Sequence, residues 1–229
     1  MIVMSKTNFF VKHLKSINNF INNLLEKNLN KLNFKNLSFL FKNNKIILIF
    51  VALFVIFISY LLLPTFYNQN DISKKLKNEL QSKFDINFKF SKNIKYNFFP
   101  KPHFIITNSK ILDNEKEISK ISKLKIFISF DNLVSLKNIE IRDLILENAN
   151  FHLNTKSYNF FVELLNKSFQ DGDIIIKNSN VFFKHIEDEV LFITKIFKMK
   201  YYFDLKELKN IFYSENEIFN IPFSVESFF

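Results

Sequence analysis

The densest group of side chains that could do chemistry lies between His185 and Glu189, in the order His-Ile-Glu-Asp-Glu. Imidazole and carboxylate groups this close together are the usual ligands of a divalent metal ion. The segment follows Val181-Phe-Phe, and the alternation of a strand would send these side chains to opposite faces. We therefore predict no metal site here.

Other catalytic signatures are missing from the sequence. The chain contains no Ser-His-Asp signature, no phosphate-binding loop and no paired glycines. It has no cysteine, which excludes disulfides and thiolate chemistry. The net charge is +10, but one arginine, Arg142, among 31 lysines, with 32 phenylalanines and one glycine, indicates an AT-rich genome more than a nucleic-acid partner. We predict a protein that is not an enzyme, needs no cofactor and binds no nucleic acid.

The longest apolar stretch, residues 46–63, contains 18 consecutive residues without a charge, a glycine or a proline. A helix of that length is about 27 Å long, close to the hydrocarbon thickness of a bilayer. Pro64, which ends a helix, follows directly. A cleaved signal peptide is less favoured because the stretch begins far from Met1 and meets no small-residue cleavage site. We predict an uncleaved transmembrane signal anchor, with a buried core helix as the alternative.

The distribution of charge predicts how this span is oriented. Residues 1–45 contain eight lysines and one acid, Glu26, a net charge of +7, and the rest of the chain carries +3. Lysine-rich flanks remain on the cytoplasmic side. We predict a single-pass protein of the inner membrane with a cytoplasmic N-terminus and a periplasmic C-terminal domain. The basic tail, residues 1–45, is either an amphipathic helix on anionic headgroups or disordered.

After the span, the spacing of apolar residues changes from that of a helix to that of strands. Residues 71–84 have apolar residues at three- and four-residue steps, which predicts a linker helix capped by Asp71. From residue 85 onward many short segments alternate apolar and polar residues, a pattern typical of an antiparallel or meandering sheet with one apolar face. Further helices are predicted at 158–169 and, less strongly, at 194–208.

The succession of these segments carries a family resemblance. After the anchor and the short helix come a strand pair ending in Phe98-Phe-Pro-Lys-Pro102, a long phrase from Ile139 to Leu153, and Asp171-Gly172 before another strand. Over residues 46–225 this order resembles the N-terminal part of the AsmA family of bacterial envelope proteins. Asn148-Ala149 replaces the proline usual in that family. Family members usually continue much further, so we expect the AsmA-like β domain of residues 85–229 to be truncated.

The resemblance implies an α+β, mainly β fold, with a single N-terminal transmembrane helix followed by a curved, trough-like sheet and a few covering helices. It also implies that the apolar face of the sheet handles phospholipid acyl chains in transit to the outer membrane. The groove candidates are the apolar residues of the alternating strands: Ile86, Phe88, Phe90, Phe104, Ile106, Leu124, Ile126, Ile128, Ile139, Ile141, Leu144 and Leu146. Taken alone, the same residues also fit a closed core beneath the helices.

Two functions from different classes are therefore open. The first is an AsmA-like role in phospholipid transport and outer-membrane biogenesis, with the inner-membrane bilayer and acyl chains as partners and with or without a separately encoded remainder of the groove. The second is a bitopic envelope scaffold whose periplasmic domain docks a protein partner and has no lipid role.

Overall fold

A computed structural model describes residues 45–91, 93–113, 115–131, 133–155, 157–165, 172–185 and 189–228. The predicted basic tail, residues 1–45, lies outside the described residues apart from Lys45. Contacts within the chain divide it into two compact units, Met1–Phe57 and Ile58–Phe229.

The first helix, α1, covers Lys45–Leu62, one residue earlier at each end than the predicted span. The stretch Leu48–Phe66 is long and apolar enough to cross a membrane, and only 11% of it is buried. A helix in the core of a soluble domain would bury a much larger share of such a surface. A 3₁₀ turn, Leu63–Phe66, ends the helix at Pro64, because a proline within the helix would remove a backbone hydrogen bond.

The second helix, α2, covers Gln69–Phe84. Its N-cap is Asn68, whose side chain accepts a hydrogen bond from the backbone N–H of Asn70 at 2.8 Å. The predicted cap, Asp71, lies in the first turn instead, where its carboxylate faces the positive end of the helix dipole. The apolar face has the predicted residues, all of which are buried: Ile72, Leu76, Leu80 and Phe84.

Within the described residues, nine strands form one curved, open sheet, which confirms the mainly β fold class. They are β1 Asn87–Lys89, β2 Ile94–Asn97, β3 His103–Asp113, β4 Lys116–Ile128, β5 Ile141–Leu153, β6 Ile174–Lys184, β7 Val190–Asp204, β8 Lys209–Ile218 and β9 Ile221–Phe228. The order is β1-β3-β4-β5-β6-β7-β8-β9, and β2 pairs with β3 beside β1. Among these described strands only β5 and β6 pair in parallel, and helix α3, Tyr158–Leu165, lies in the crossover that such a pairing requires.

The weaker prediction of a helix at 194–208 is wrong, since most of that segment belongs to strand β7. Its aromatic and β-branched residues favour a strand. The helix-like spacing arises at Phe197, where the pairing of β7 with β8 shifts register between Ile196 and Lys198. The extra residue places Ile196 and Met199 three positions apart on the same face of the sheet, and three is also a helical step.

A line of kinks crosses the sheet from β3 to β7. Strand pairing continues on both sides of the line but is interrupted along it; for example, Thr107 pairs with Lys123 and Ser109 pairs with Ile121, so Asn108 faces Ser122. The same register runs through the neighbouring strands and gives one row: Asn108, Ser122, Asn148, Asn178 and Phe197. Each strand in this row therefore contains one residue more than regular alternation requires, and these extra residues lie at the same level of the sheet.

Three asparagines of this row have a left-handed backbone, with φ of 54° at Asn108, 53° at Asn148 and 48° at Asn178. Asparagine tolerates this conformation better than most residues and here does what glycine does in other chains. The extra residue reverses which positions face inward. In β5, Leu144 and Leu146 are buried before the kink, and Ala149 and Phe151 are buried after it.

The only glycine, Gly172, is required by a close approach to β5. A Cβ atom at this position would lie 2.0 Å from the carbonyl oxygen of Arg142. Next to it, the backbone N–H of Leu144 donates to the carbonyl of Asp173 at 2.8 Å. This contact sets the start of the parallel pairing between β5 and β6.

An apolar cavity beneath helix α3

Helix α3 is held over the sheet by a polar turn at its start. The backbone N–H of Ser157 donates to the side-chain oxygen of Asn154 at 2.9 Å, and the backbone N–H of Asn154 donates to the Ser157 hydroxyl at 3.0 Å. That hydroxyl also donates to the carbonyl of His152, at the end of β5, at 2.9 Å. The helix therefore begins directly beside the strand that it covers.

The inner face of α3 consists of Phe160, Phe161 and Leu164, which share one side of a helix at this spacing. The ring of Phe161 meets the ring of Phe151 edge to face, with centroids 6.2 Å apart, and Phe160 packs against Phe161 in the same way at 5.4 Å. A cavity of about 250 Å³ lies beneath the helix, and these rings are part of its lining.

Every residue that lines this cavity is apolar. The lining comes from α3, from five strands and from the segment after α2: Ile86, Ile111, Leu146, Phe151, Leu153, Phe160, Phe161, Leu164, Ile174, Ile176, Val181, Phe183, Ile196, Met199 and Phe212. The volume lies just below the ~300 Å³ at which small-molecule sites begin. A cavity lined only by hydrocarbon excludes water and accepts apolar ligands.

A second depression continues from the cavity toward the end of β5 and β6. It has a volume of about 460 Å³ and shares Leu153 and Phe183 with the cavity. Its further lining includes Tyr158 and Leu191, both exposed. The apolar surface therefore extends from beneath α3 to the edge of the domain.

The opposite face of the sheet is charged. One cross-strand row there, on the level next to the kinks, consists of Lys123, Glu147, Lys177, Lys198 and Glu215. The carboxylate of Glu147 contacts the ammonium of Lys123 at 3.3 Å. The sheet thus has one charged face and one apolar face, as its alternating sequence predicts.

The pKa of Glu147 reflects these neighbours. Partial burial acts to raise the pKa of this carboxyl, but the hydrogen bonds and charges of Lys125, at 2.6 Å, and Lys123 outweigh it, so the pKa lies below its ordinary value. The carboxylate is consequently ionised at neutral pH and belongs to the solvated face of the sheet.

The predicted groove residues mostly lie elsewhere. Eleven of the twelve are buried and Phe90 is half-buried, and all share one core cluster with the buried residues of α2. Only Ile86 and Leu146 also line the cavity beneath α3. Contact of the other ten with a lipid stays a prediction.

Most of the cavity residues that sequence reasoning missed belong to α3 and to β6–β8, and the remaining three, Ile111, Phe151 and Leu153, belong to β3 and β5. Part of the signal is present in the sequence, which predicts a helix at 158–169 and a strand after Asp171-Gly172. The sequence does not show that these two elements lie close together, because their proximity depends on the parallel pairing of β5 with β6.

The segment that could bind a metal is described only at its ends. The backbone N–H of His185 donates to the carbonyl of Glu189 at 2.8 Å, and residues 186–188 lie outside the described residues. Among the residues that are described, no group of three or more His, Asp or Glu side chains converges as metal ligands do.

The chain was compared with models of known protein families and with curated proteins. A family model described as the AsmA family matches residues 41–170, more than half of the chain. No curated protein matches the chain.

Proposed function

The chain belongs to the AsmA family, and from this premise we propose that it contributes to phospholipid transport and outer-membrane biogenesis by holding acyl chains against the apolar face of its sheet. The family and the apolar helix α1 fit a membrane-anchored protein. We further propose that α1 is an uncleaved anchor in the inner membrane, with a cytoplasmic N-terminus and a periplasmic sheet domain, because the lysines concentrate before the span.

The observation that carries this proposal is the fully apolar lining of the cavity beneath α3. Each methylene removed from water contributes about 0.8 kcal/mol, so a segment of about five methylenes gains roughly 4 kcal/mol before the costs of binding. Because the costs of binding are subtracted from this gain, the net affinity is weaker than the millimolar value that about 4 kcal/mol alone would give. Weak binding would allow an acyl chain to be released and to move along the apolar surface.

The AsmA family is not known as a family of enzymes, and the proposed role needs no catalytic group. Exclusion of water and an adjacent bilayer are sufficient for an acyl chain to enter an apolar cavity.

Site-specific photocrosslinking in intact envelopes tests the proposal. A benzophenone side chain replaces Met199, which lines the cavity, and in a matched variant replaces Phe197, which is exposed on the same strand and does not line it. We expect acyl-chain adducts at Met199 and few at Phe197. Equal labelling at both positions, or none at Met199, would contradict the proposal. Adducts at Phe88 or Ile126 would extend the lipid surface to the predicted groove residues.

A scaffold role is the second candidate, favoured by the free edge of β9. Within the described residues, β9 pairs only with β8, and its exposed side chains include Ile221, Phe223 and Val225. An unpaired strand edge can accept a strand from another chain, either a protein partner or a separately encoded remainder of the groove. A stoichiometric partner that co-purifies, together with unchanged outer-membrane phospholipid after deletion of the gene, would favour this role over lipid transport.

A further inference from the structure

The end of helix α1 is bonded into the sheet unit by tyrosines. The hydroxyl of Tyr60 donates to the carbonyl of Phe130 at 2.8 Å and accepts from the backbone N–H of Leu133 at 3.1 Å. The hydroxyl of Tyr96, on β2, donates to the carbonyl of Leu61 at 2.7 Å. These residues all belong to the compact unit Ile58–Phe229.

The contact made by Tyr96 is partly shielded from water. Burial, with smaller contributions from the neighbouring tyrosines Tyr67 and Tyr60, raises the pKa of Tyr96 to about 12. The hydroxyl of Tyr67 donates to the carbonyl of Leu133 in the same loop. The hydroxyls of Tyr60 and Tyr96 therefore hold the last turn of α1 against the β4–β5 loop and β2, and the hydroxyl of Tyr67 holds the segment after α1 against the same loop.

The loop between β2 and β3 lies at the same end of the sheet. The backbone N–H of Ile128, the last residue of β4, donates to the carbonyl of Pro102 at 3.0 Å. The end of the β2–β3 loop is therefore adjacent to the start of the β4–β5 loop, which Tyr60 binds at Phe130 and Leu133.

These segments expose apolar side chains at the point where α1 ends. Three are strongly exposed, namely Phe66 at 83%, Phe99 at 74% and Val134 at 70%, and Phe98 and Phe130 are exposed as well. We call these five residues the collar. Apolar side chains grouped on one surface usually mark a site of interaction with a partner or a membrane.

We propose that the collar inserts into the interfacial region of the bilayer that α1 crosses. We identify the bilayer as the partner because the collar is continuous with the apolar stretch Leu48–Phe66, whose last residue belongs to it. The β4–β5 loop and strand β2 are bonded to the last turn of α1, and the β2–β3 loop adjoins the β4–β5 loop. Phenylalanine beside a cation is typical of surfaces that lie in the headgroup region, and Lys101 follows Phe99-Pro100 and is exposed.

The proposal rests on the proposed membrane anchoring and adds a second contact with the bilayer. A span alone leaves the attached domain free to tilt, whereas aromatic side chains placed at the interface restrict that freedom. The end of the sheet next to the collar would then remain at the lipid surface.

Fluorescence depth measurements test the collar, since the chain has no tryptophan of its own. The full chain is reconstituted into phosphatidylethanolamine and phosphatidylglycerol vesicles as single-tryptophan variants. Phe99→Trp and Val134→Trp report on the two collar loops. Phe219→Trp is the matched control, because Phe219 is 75% exposed and lies in the β8–β9 turn at the opposite end of the strands. Ile56→Trp reports on the span.

We expect lipids brominated near the ester end of the acyl chain to remove roughly half of the emission of both collar variants, as for side chains buried at the interface, and to leave Phe219→Trp nearly unquenched. Collar variants that behave like Phe219→Trp, with Ile56→Trp quenched, would overturn the collar and leave the anchor intact. Quenching of Phe219→Trp to the same extent would also overturn it. An unquenched Ile56→Trp would overturn the anchoring itself, and the collar with it.

Discussion

Replacing the asparagines of the kink line by alanine should lower the stability of the fold, whereas replacing them by glycine should leave it nearly unchanged. The side chains of Asn108 and Asn148 are exposed, so their substitution changes mainly the backbone preference. An ordinary L-residue pays roughly 1–2 kcal/mol for the left-handed conformation, whereas glycine pays almost nothing. We expect each asparagine-to-alanine change to lower the free energy of unfolding by about 1 kcal/mol, because asparagine already pays part of this cost.

The two sites should act independently. They lie on either side of β4, roughly 10 Å apart at the usual strand spacing, and effects at such separations usually add. The double alanine variant should therefore lose about 2 kcal/mol, which is roughly 4–8 °C in the thermal midpoint of a domain of this size. The double glycine variant should stay within about 0.5 kcal/mol of the natural chain, since its folded-state gain offsets the added freedom of the unfolded chain.

Denaturant unfolding of the detergent-solubilised full chain, followed by the circular dichroism of its strands, measures these differences. Asn87→Ala is the matched control, because Asn87 is an exposed strand residue without a left-handed backbone. It should change the free energy of unfolding by less than about 0.5 kcal/mol. Alanine and glycine variants with the same midpoint would refute the assignment of the kinks to backbone conformation, as would glycine variants that are less stable than the alanine ones.

Three further substitutions probe the fold around the cavity and the charged face. Gly172→Ala should lower the free energy of unfolding by about 2–4 kcal/mol, because its Cβ would lie 2.0 Å from the Arg142 carbonyl; an unchanged thermal midpoint would contradict this contact. Ser119→Ala should raise stability by about 1 kcal/mol, since the buried hydroxyl has no hydrogen-bond partner among the described residues; a lower midpoint would mean that it has one. Glu147→Gln should be less stable than the natural chain at pH 7. Because the folded-state pKa of Glu147 is lowered, its contribution is present above the ordinary value of 4.5 and disappears as pH falls through the folded-state pKa, so a gap that persists in acid would refute the ion pairs with its lysines.

Much of the fold was predictable because it depends on local spacing. The uninterrupted apolar run gave α1 to within one residue at each end. The four-residue steps from Ile72 to Phe84 gave α2, and alternation gave an apolar and a charged face. Each of these patterns reports whether a side chain is buried, which local periodicity encodes directly.

The site was less predictable, because alternation does not say what covers a face. The groove candidates were chosen in β1–β5, where α2 closes the core over them. The cavity lies over β5–β8, and its location depends on the parallel return of β6 and on the kinks. In β5 the kink changes the inward-facing positions from even-numbered ones, such as Leu146, to odd-numbered ones, such as Phe151. A single asparagine within a strand gives no sign that its neighbours kink at the same level. Only the register of five strands shows that.

The lengths of the two covering helices explain why one part of the sheet is a core and another a cavity. Helix α2 has 16 residues, about 24 Å, and covers short strands and the start of the long ones. Helix α3 has eight residues, about 12 Å, and lies over β6 and β7, which have 11 and 15 residues and span roughly 36–50 Å. A helix that short cannot cover the whole apolar face beneath it, and its phenylalanines contact that face through Phe151. The strands on both sides have the same kind of apolar residues, so the extent of the cover, more than the chemistry of the strands, determines where an acyl chain could bind.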